Sequence, residues 1–199
     1  MIINVEPRKP AYEAIIKKLD SVGTDSKTAV KDAVNDTAKS LKEELYAAVK
    51  GTYSIKNSQF RKADIVRKNA TKSQKTATIT VKGYTLSLYD SYKFYKNTKH
   101  KAVRAMIKKA SGKRDIQLSG GNYKAFVATM SNGHTGVFQR KPGTRMKKGT
   151  NNREKIKQIN AMSKSKAAEV VYREQLQENT EERLNLMLHK HMNLVLEGK

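Results

Sequence analysis

The sequence predicts an α+β fold: an antiparallel sheet of about five strands, packed by a helix in the N-terminal half, with a long helix at the C-terminus. Three observations carry it. Lys124–Met130 is aromatic and β-branched without Gly or Pro, Ser131–Gly136 is a turn, and Val137-Phe138-Gln139-Arg140 alternates apolar and polar, which together make a hairpin. Val30, Val34, Thr37, Leu41, Leu45 and Val49 recur at three- and four-residue spacing, one stripe of a helix. Tyr172, Leu176, Leu184, Met187, Leu188, Leu194 and Val195 fall within a ~160° arc at ~100° per residue, which makes Ser165 to Leu196 a second helix.

In chain order, Ile2–Val5 reads as a short edge strand. Pro10 starts a helix at its first turn, with Ile15, Ile16 and Leu19 on one side and Gly23 at its end. Thr24-Asp25-Ser26 offers capping oxygens to the next helix, and Gly51 sits where a C-cap glycine belongs. Tyr53–Lys56 is extended, and Ser58 caps a short helix over Gln59 to Arg67. Thr76–Val81 alternates and is β-branched, so it is a strand, and Tyr84 to Leu88 continues extended. Lys99 to Lys109 puts Ala102, Arg104, Met106 and Lys108 on one side and Val103, Ala105 and Ile107 on the other, as a strand does. Asp115 to Leu118 pairs back, and Gly120-Gly121 leads to the hairpin, with Phe126 and Phe138 as its core anchors. Lys141-Pro142-Gly143 ends the second hairpin strand, because Pro cannot donate to a ladder. Thr144 to Lys164 lacks a steady period and reads as a basic loop. The expected organisation is an arm (1–22), an α+β core domain (23–145), a basic loop (146–164) and the C-terminal helix (165–199).

Apolar residues make up 37% of the 199-residue chain, below the usual share of about 45–50%, so the core is modest. Lys plus Arg number 41 against 18 Asp plus Glu, a formal net charge of +23. Self-repulsion on that scale opposes compaction unless an anion screens it. It also exceeds the magnitude of about 2–8 that suits solubility. Nucleic acid, acidic protein surfaces or both are the expected partners. The chain has no Cys, which excludes disulfide scaffolds, thiolate zinc sites and Cys nucleophiles. No apolar run approaches the ~20 residues of a membrane span. Met1–Val5 is too soon interrupted by Glu6 and Pro7 for a signal peptide, so a cytoplasmic protein is expected unless a larger particle carries it out.

Catalytic groups are sparse, and we expect no enzyme, no cofactor and no metal. Gly120-Gly121 and Gly133-x-x-Gly136 lack the Lys-Ser/Thr of a phosphate loop. Asp90 and Asp115 are essentially the only carboxylates in the predicted sheet, too few for a two-metal nuclease. His189 and His191 lie two apart on a helix, whereas metal-binding pairs sit four apart. His191 falls on the apolar stripe as a satisfied core or interface histidine, and His134 in its turn is structural. The basic clusters are the feature left to explain. The first is Lys99, His100, Lys101, Arg104, Lys108, Lys109, Lys113 and Arg114; the second is Arg140, Lys141, Arg145, Lys147, Lys148, Arg153, Lys155 and Lys157. Both are nearly free of Asp and Glu. That favours contact with DNA or an acidic partner over a solvated face, with no base specificity implied.

Phe126-Val-Ala-Thr-Met130 followed by Asn132-Gly133-His134-x-Gly136-Val137-Phe138-x-Arg140 resembles the central hairpin of the phage minor tail protein Z family, tail-completion proteins of long-tailed phages and prophages. Other stretches resemble the same family in order. Ala29 to Lys39 is similar to its first long helix, with Asn35 and Thr37 in place. Tyr53-x-Ile55-Lys56, Ile65 and Lys68-x-Ala70-Thr71 follow. Ala77-x-Ile79 and Gly83-x-x-x-x-Leu88 match the first sheet strands. The resemblance runs from about Thr28 to Arg140. Asn160 to Ser165 departs from the family's Leu-Tyr-Gly-Pro-Ser-like stretch, while Leu194 to Gly198 fits its usual close.

The resemblance implies a structural protein of the virion, made in the host cytoplasm, that caps the head-proximal end of the tail and enables head–tail joining. The implied partners are tail terminator or tail tube proteins, head-completion (connector) proteins, copies of itself in a ring, and the genome DNA in the channel; no membrane is involved. Lys99, Lys101, Arg104, Lys108, Lys109, Arg140, Lys141, Arg145, Lys147, Lys148, Arg153 and Lys155 are then the residues facing DNA or an acidic partner. Glu174, Glu178, Glu181, Glu182, Leu184 and Leu188 on the C-terminal helix are the inter-subunit candidates. The alternative is a sequence-nonspecific nucleic-acid-binding protein of the cytoplasm, and a basic nuclease stands third.

Overall fold

A computed structural model describes residues 1–7, 13–14, 16–17, 26–97, 102–116, 124–145 and 153–197. Pro10, Ile15, Leu19 and Gly23 of the expected first helix, the capping Thr24 and Asp25, and Gly120-Gly121 lie outside the described residues. The architecture is α+β with antiparallel strands and a long C-terminal helix. The strands do not form one sheet of about five. Among the described residues they form four small sheets. The chain divides into two compact units, one of residues 1–49, 61–83 and 165–199 and the other of residues 50–60 and 84–164. The expected organisation instead kept 23–145 together and set the C-terminal helix apart.

The first unit contains the sheet β1 (Ile2–Val5), β3 (Ala77–Val81) and β2 (Ile65–Lys68), in that order. Alternation turns Ile3, Val5, Ile65, Ala77, Ile79 and Val81 inward, and all six are buried. They meet as cross-strand pairs: Ile3 with Ile79, Val5 with Ala77, Ile65 with Val81. Helix α1 (Ser26–Thr52) buries Val30, Val34, Thr37, Leu41, Leu45 and Val49, the stripe read from the sequence. Thr37 is tolerated in that stripe because its hydroxyl donates to the Ala33 carbonyl at 2.8 Å. Gly51 lies inside the last turn rather than capping it.

Asn35 ties α1 to the chain beyond β2. Its amide nitrogen donates to the Ala70 carbonyl (3.2 Å) and its oxygen accepts from the Ala70 N–H (2.8 Å). The helix expected over Gln59 to Arg67 is only a 3₁₀ turn, Lys62–Asp64, before β2 begins. The Asp64 carboxylate accepts from the Arg61 N–H at 2.8 Å and closes that turn.

The C-terminal helix runs from Lys164 to Leu196 as α3 (Lys164–Val171), a π-turn (Tyr172–Leu176) and α4 (Gln177–Leu196). Its buried side chains explain the interruption. Ala167, Ala168 and Val171 are buried, then Leu176, Thr180, Leu184, Leu188 and Met192 at strict four-residue spacing. Val171 and Leu176 are five apart, and an i→i+5 turn absorbs the extra residue so that both stretches bury one side. Tyr172, expected on the stripe, is only half-buried. Against α1, Arg183 pairs with Glu44, and His191 Nε2 lies 2.9 Å from Asp36 Oδ2. The partners rise on one helix as they fall on the other, so α1 and α4 are antiparallel. His191 is satisfied, as its place on the stripe suggested.

The second unit holds β4 (Leu86–Ser87), a short helix α2 (Leu88–Ser91), β5 (Lys93–Asn97), β6 (Ala102–Met106), β7 (Arg114–Asp115), β8 (Phe126–Thr129), β9 (Thr135–Arg145), β10 (Glu154–Gln158) and β11 (Asn160–Ala161). Tyr53, Phe60, Leu86, Leu88 and Tyr92 are fully buried and form much of its core. Burial pushes the Tyr92 hydroxyl well above the ordinary tyrosine range. That hydroxyl donates to the Met162 carbonyl at 3.2 Å.

Candidate functional site

The hairpin falls where the sequence puts it. Phe126 pairs with Phe138, and Thr129 with Thr135. Gly133 supplies the positive φ of 81° that the turn needs. A side chain at Gly136 would be tight, because a Cβ would lie 3.1 Å from the Phe138 ring. Phe138 is buried, but Phe126 is half-buried and so only partly the expected anchor. His134 stands edge-on to Phe138, with ring centroids 6.3 Å apart, a packing role.

The second strand does not end at Lys141-Pro142-Gly143. β9 continues to Arg145, and β10 pairs with it where a loop was expected. The register shows how Pro142 is accommodated. Ile156 pairs with Arg140 and Glu154 with Arg145, so four residues of β9 face one of β10. Lys141 to Thr144 bulge out of the ladder, Thr144 Oγ1 closes on the Lys141 carbonyl at 2.8 Å, and Gly143 takes a φ of 69°. Pro142 therefore has no ladder bond to withhold.

This pairing gathers most of the second basic cluster. Arg140, Lys141, Arg145, Lys155 and Lys157 lie on the β9–β10 ribbon, Arg153 immediately precedes β10, and all six are exposed. Glu154 is the only carboxylate in these two stretches. From Arg140 outward no residue of either strand is buried, and only Thr144, Glu154 and Ile156 are half-buried, so neither face of the ribbon is fully covered by described residues. Arg140 stands 5.9 Å from the Phe126 ring, a cation–π contact that steadies the ribbon's base. Lys147 and Lys148 lie outside the described residues.

The first cluster is arranged differently. Arg104 on β6 pairs with Asp115 on β7 at 3.0 Å and donates to the Lys113 carbonyl at 3.2 Å. Lys113 Nζ sits 3.9 Å from the Tyr95 ring, and Lys108 Nζ is 6.0 Å from the Tyr53 ring. Burial of Lys50, with the charge of exposed Lys109 beside it as the smaller cause, holds Lys50 below the ordinary lysine range. Lys99 and Lys101 lie outside the described residues. Asp115, one of the two carboxylates expected in the sheet, is held by Arg104.

On the C-terminal helix, Glu174, Glu178 and Glu182 are exposed and Glu181 is half-buried. Leu184 and Leu188 are buried within the first unit, which corrects their assignment as inter-subunit residues: their stripe is already covered within the chain. Among the described residues no cluster of His, Asp and Glu has a metal-binding arrangement, and no helix is long and apolar enough to cross a membrane. No family model, curated protein or solved structure matches this chain.

Proposed function

We propose that this protein is a tail-completion component of a long-tailed phage or prophage. In this reading it sits at the neck of the virion, as copies in a ring between the tail end and the connector, and enables head–tail joining. It does no chemistry; it binds and assembles. The observation that carries the proposal is the β9–β10 ribbon. A hairpin with the ordered resemblance of Phe126 to Arg140 continues into a two-stranded ribbon that carries five exposed cations, with Arg153 exposed just before β10, and no buried residue from Arg140 outward. Such a ribbon suits the phosphates of DNA passing through a neck, or an acidic protein surface beside it. Asn35 and Ala70 lie in two stretches of the resemblance far apart in sequence, and they are joined by a pair of hydrogen bonds.

The same ribbon supports the alternative of a sequence-nonspecific nucleic-acid-binding protein. A deletion strain separates the two. The tail-completion reading expects DNA-filled heads and complete tails that fail to join, or joined particles that deliver DNA poorly, by electron microscopy and plaque titre. Empty heads, absent tails or normal infectious particles would each overturn it.

A further inference from the structure

Strand β1 is an edge of its sheet, and its terminal bonds fix how the rest of it points. The Met1 amine donates to the Val81 carbonyl (3.3 Å), and the Val81 N–H donates to the Met1 carbonyl (3.0 Å). In an antiparallel ladder such hydrogen-bonded pairs recur at every second residue. Ile3–Ile79 and Val5–Ala77 are the next two. The main-chain N–H and C=O of Ile2 and Asn4 therefore point away from β3, toward the side on which no described strand pairs with β1.

The other edge is blunted. There the Lys82 N–H donates to Asp64, so by the same alternation Ile65 and Arg67 point outward. The Ile65 N–H is taken by the Lys62 carbonyl, and Asn35 holds both main-chain groups of Ala70 just beyond.

A cleft runs along β1, with the C-terminal helix as its far wall. One part, about 460 Å³, lies between Met1–Asn4 and Glu169, Tyr172 and Arg173. The next, about 250 Å³, lies between Asn4–Glu6 and Tyr172, Thr180 and Glu181. Asn4 and Tyr172 line both, so the two parts adjoin, and the π-turn begins where they meet. An edge strand facing a helix across a groove is the geometry that accepts an extended segment as an added strand. The cleft is lined by the carboxylates of Glu6, Glu169 and Glu181 against Arg173 and the Met1 amine, and Glu169 already pairs with Lys166 (3.1 Å) and Arg173 (4.0 Å); the lining still leans acidic, against the chain's balance of 41 to 18.

The same chain carries a complementary edge. β10 is the outer strand of its sheet. The Ile159 N–H donates to Val137 at 2.8 Å, which makes Lys157–Gln139 the next hydrogen-bonded pair and turns the main chain of Ile156 away from β9. Lys155 and Lys157 flank it, exposed, and Ile156 is half-buried.

We propose that the β1 cleft takes the β10 edge of a second copy of this chain as an added strand, with Lys155 and Lys157 meeting the cleft's carboxylates. The contact is head-to-tail, the kind that closes into a ring or grows into a chain. It leaves Arg140, Lys141 and Arg145 on β9 free. It rests on the proposed function only for the biological setting of that ring, and it concerns the purified protein. One short strand pairing predicts weak association in isolation, strengthened on a tail end where copies are held together.

The absence of Cys allows a clean test. Asn4→Cys and Lys157→Cys, purified separately and mixed at high concentration, are cross-linked with a short bis-maleimide. Each chain has a single thiol, so any product is between copies. The expected result is a mixed dimer in several-fold excess over a Leu186→Cys and Lys157→Cys control, since Leu186 is exposed on the helix outside the cleft. The excess should fall with salt and with Lys155→Glu. A yield equal to the control would overturn the proposal. So would an excess that Lys155→Glu and salt both leave unchanged, which would mean that another part of the second copy occupies the cleft. Either result leaves the deletion phenotype to stand or fall by itself.

Discussion

The two basic clusters look alike in the sequence and differ in the fold. In the first, Arg104 pairs with Asp115, and Lys113 stands over Tyr95. Its cations brace a three-stranded sheet. In the second, Arg140, Lys141, Arg145, Lys155 and Lys157, with Arg153 just before β10, project from a ribbon with no buried residue beyond Gln139. The difference lies in what each strand pairs with. β6 meets a strand carrying a carboxylate in register, Arg104 opposite Asp115. β9 meets one that is itself basic. Charge density in a sequence thus does not reveal whether cations are engaged internally or presented outward; the pairing decides it.

The largest expected effect bears on the base of the ribbon. Phe138→Ala should cost ~3–5 kcal/mol, because the ring is buried and a cavity remains. Phe126 is half-buried, so its alanine variant should cost only about 1–2 kcal/mol. Equal losses in thermal or urea melts would break the distinction between the two rings. Next comes the contrast between clusters in DNA binding. Arg140, Lys141, Arg145 and Arg153 changed together to Ser should lower the log–log salt slope of nonspecific duplex binding by as much as about 3–4, at ~0.9 per phosphate contact. Arg104→Ser should lower it by well under one. A larger loss from Arg104 would reverse the comparison.

Stability should respond the other way round. Arg104→Ala should cost a few tenths to ~1 kcal/mol, as expected for an exposed pair, while the four ribbon substitutions should leave the melt within about 0.5 kcal/mol. The smallest effect is a pH dependence of the second unit. The fold holds the Tyr92 hydroxyl neutral and above its ordinary range. That contribution is fully present below the unfolded tyrosine's pKa of about 10 and is lost as pH rises toward the folded value. Urea melts between pH 9 and 11 should show stability falling, and Tyr92→Phe should flatten the fall. An unchanged slope in that variant would remove Tyr92 from the account.

Local features were legible in the sequence where one face alone decides burial. The α1 stripe, the alternation of Thr76–Val81 and of Val103 and Ala105, and the turn at Asn132-Gly133 all stand in the fold. Features set by distant partners were not. Pro142 reads as a strand end, but a four-residue bulge carries it past the ladder, and only the register with β10 reveals that. Tyr172 sits on a 3.6-residue stripe on paper, yet the five-residue step from Val171 to Leu176 calls for a π-turn. Leu184 and Leu188 read as an apolar face awaiting a partner subunit, and they are buried within their own unit. The cleft beside β1 leaves no local signal at all, since its walls lie more than 160 residues apart in the chain.

The most direct test joins the ribbon to the proposed function. A deletion strain would be complemented with a copy carrying Arg140, Lys141, Arg145 and Arg153 changed to Ser, and its lysate examined by electron microscopy. The account predicts soluble, folded protein beside DNA-filled heads and finished tails that remain separate or deliver DNA poorly, with the wild-type copy restoring infectious particles. Full restoration by the substituted copy would contradict it.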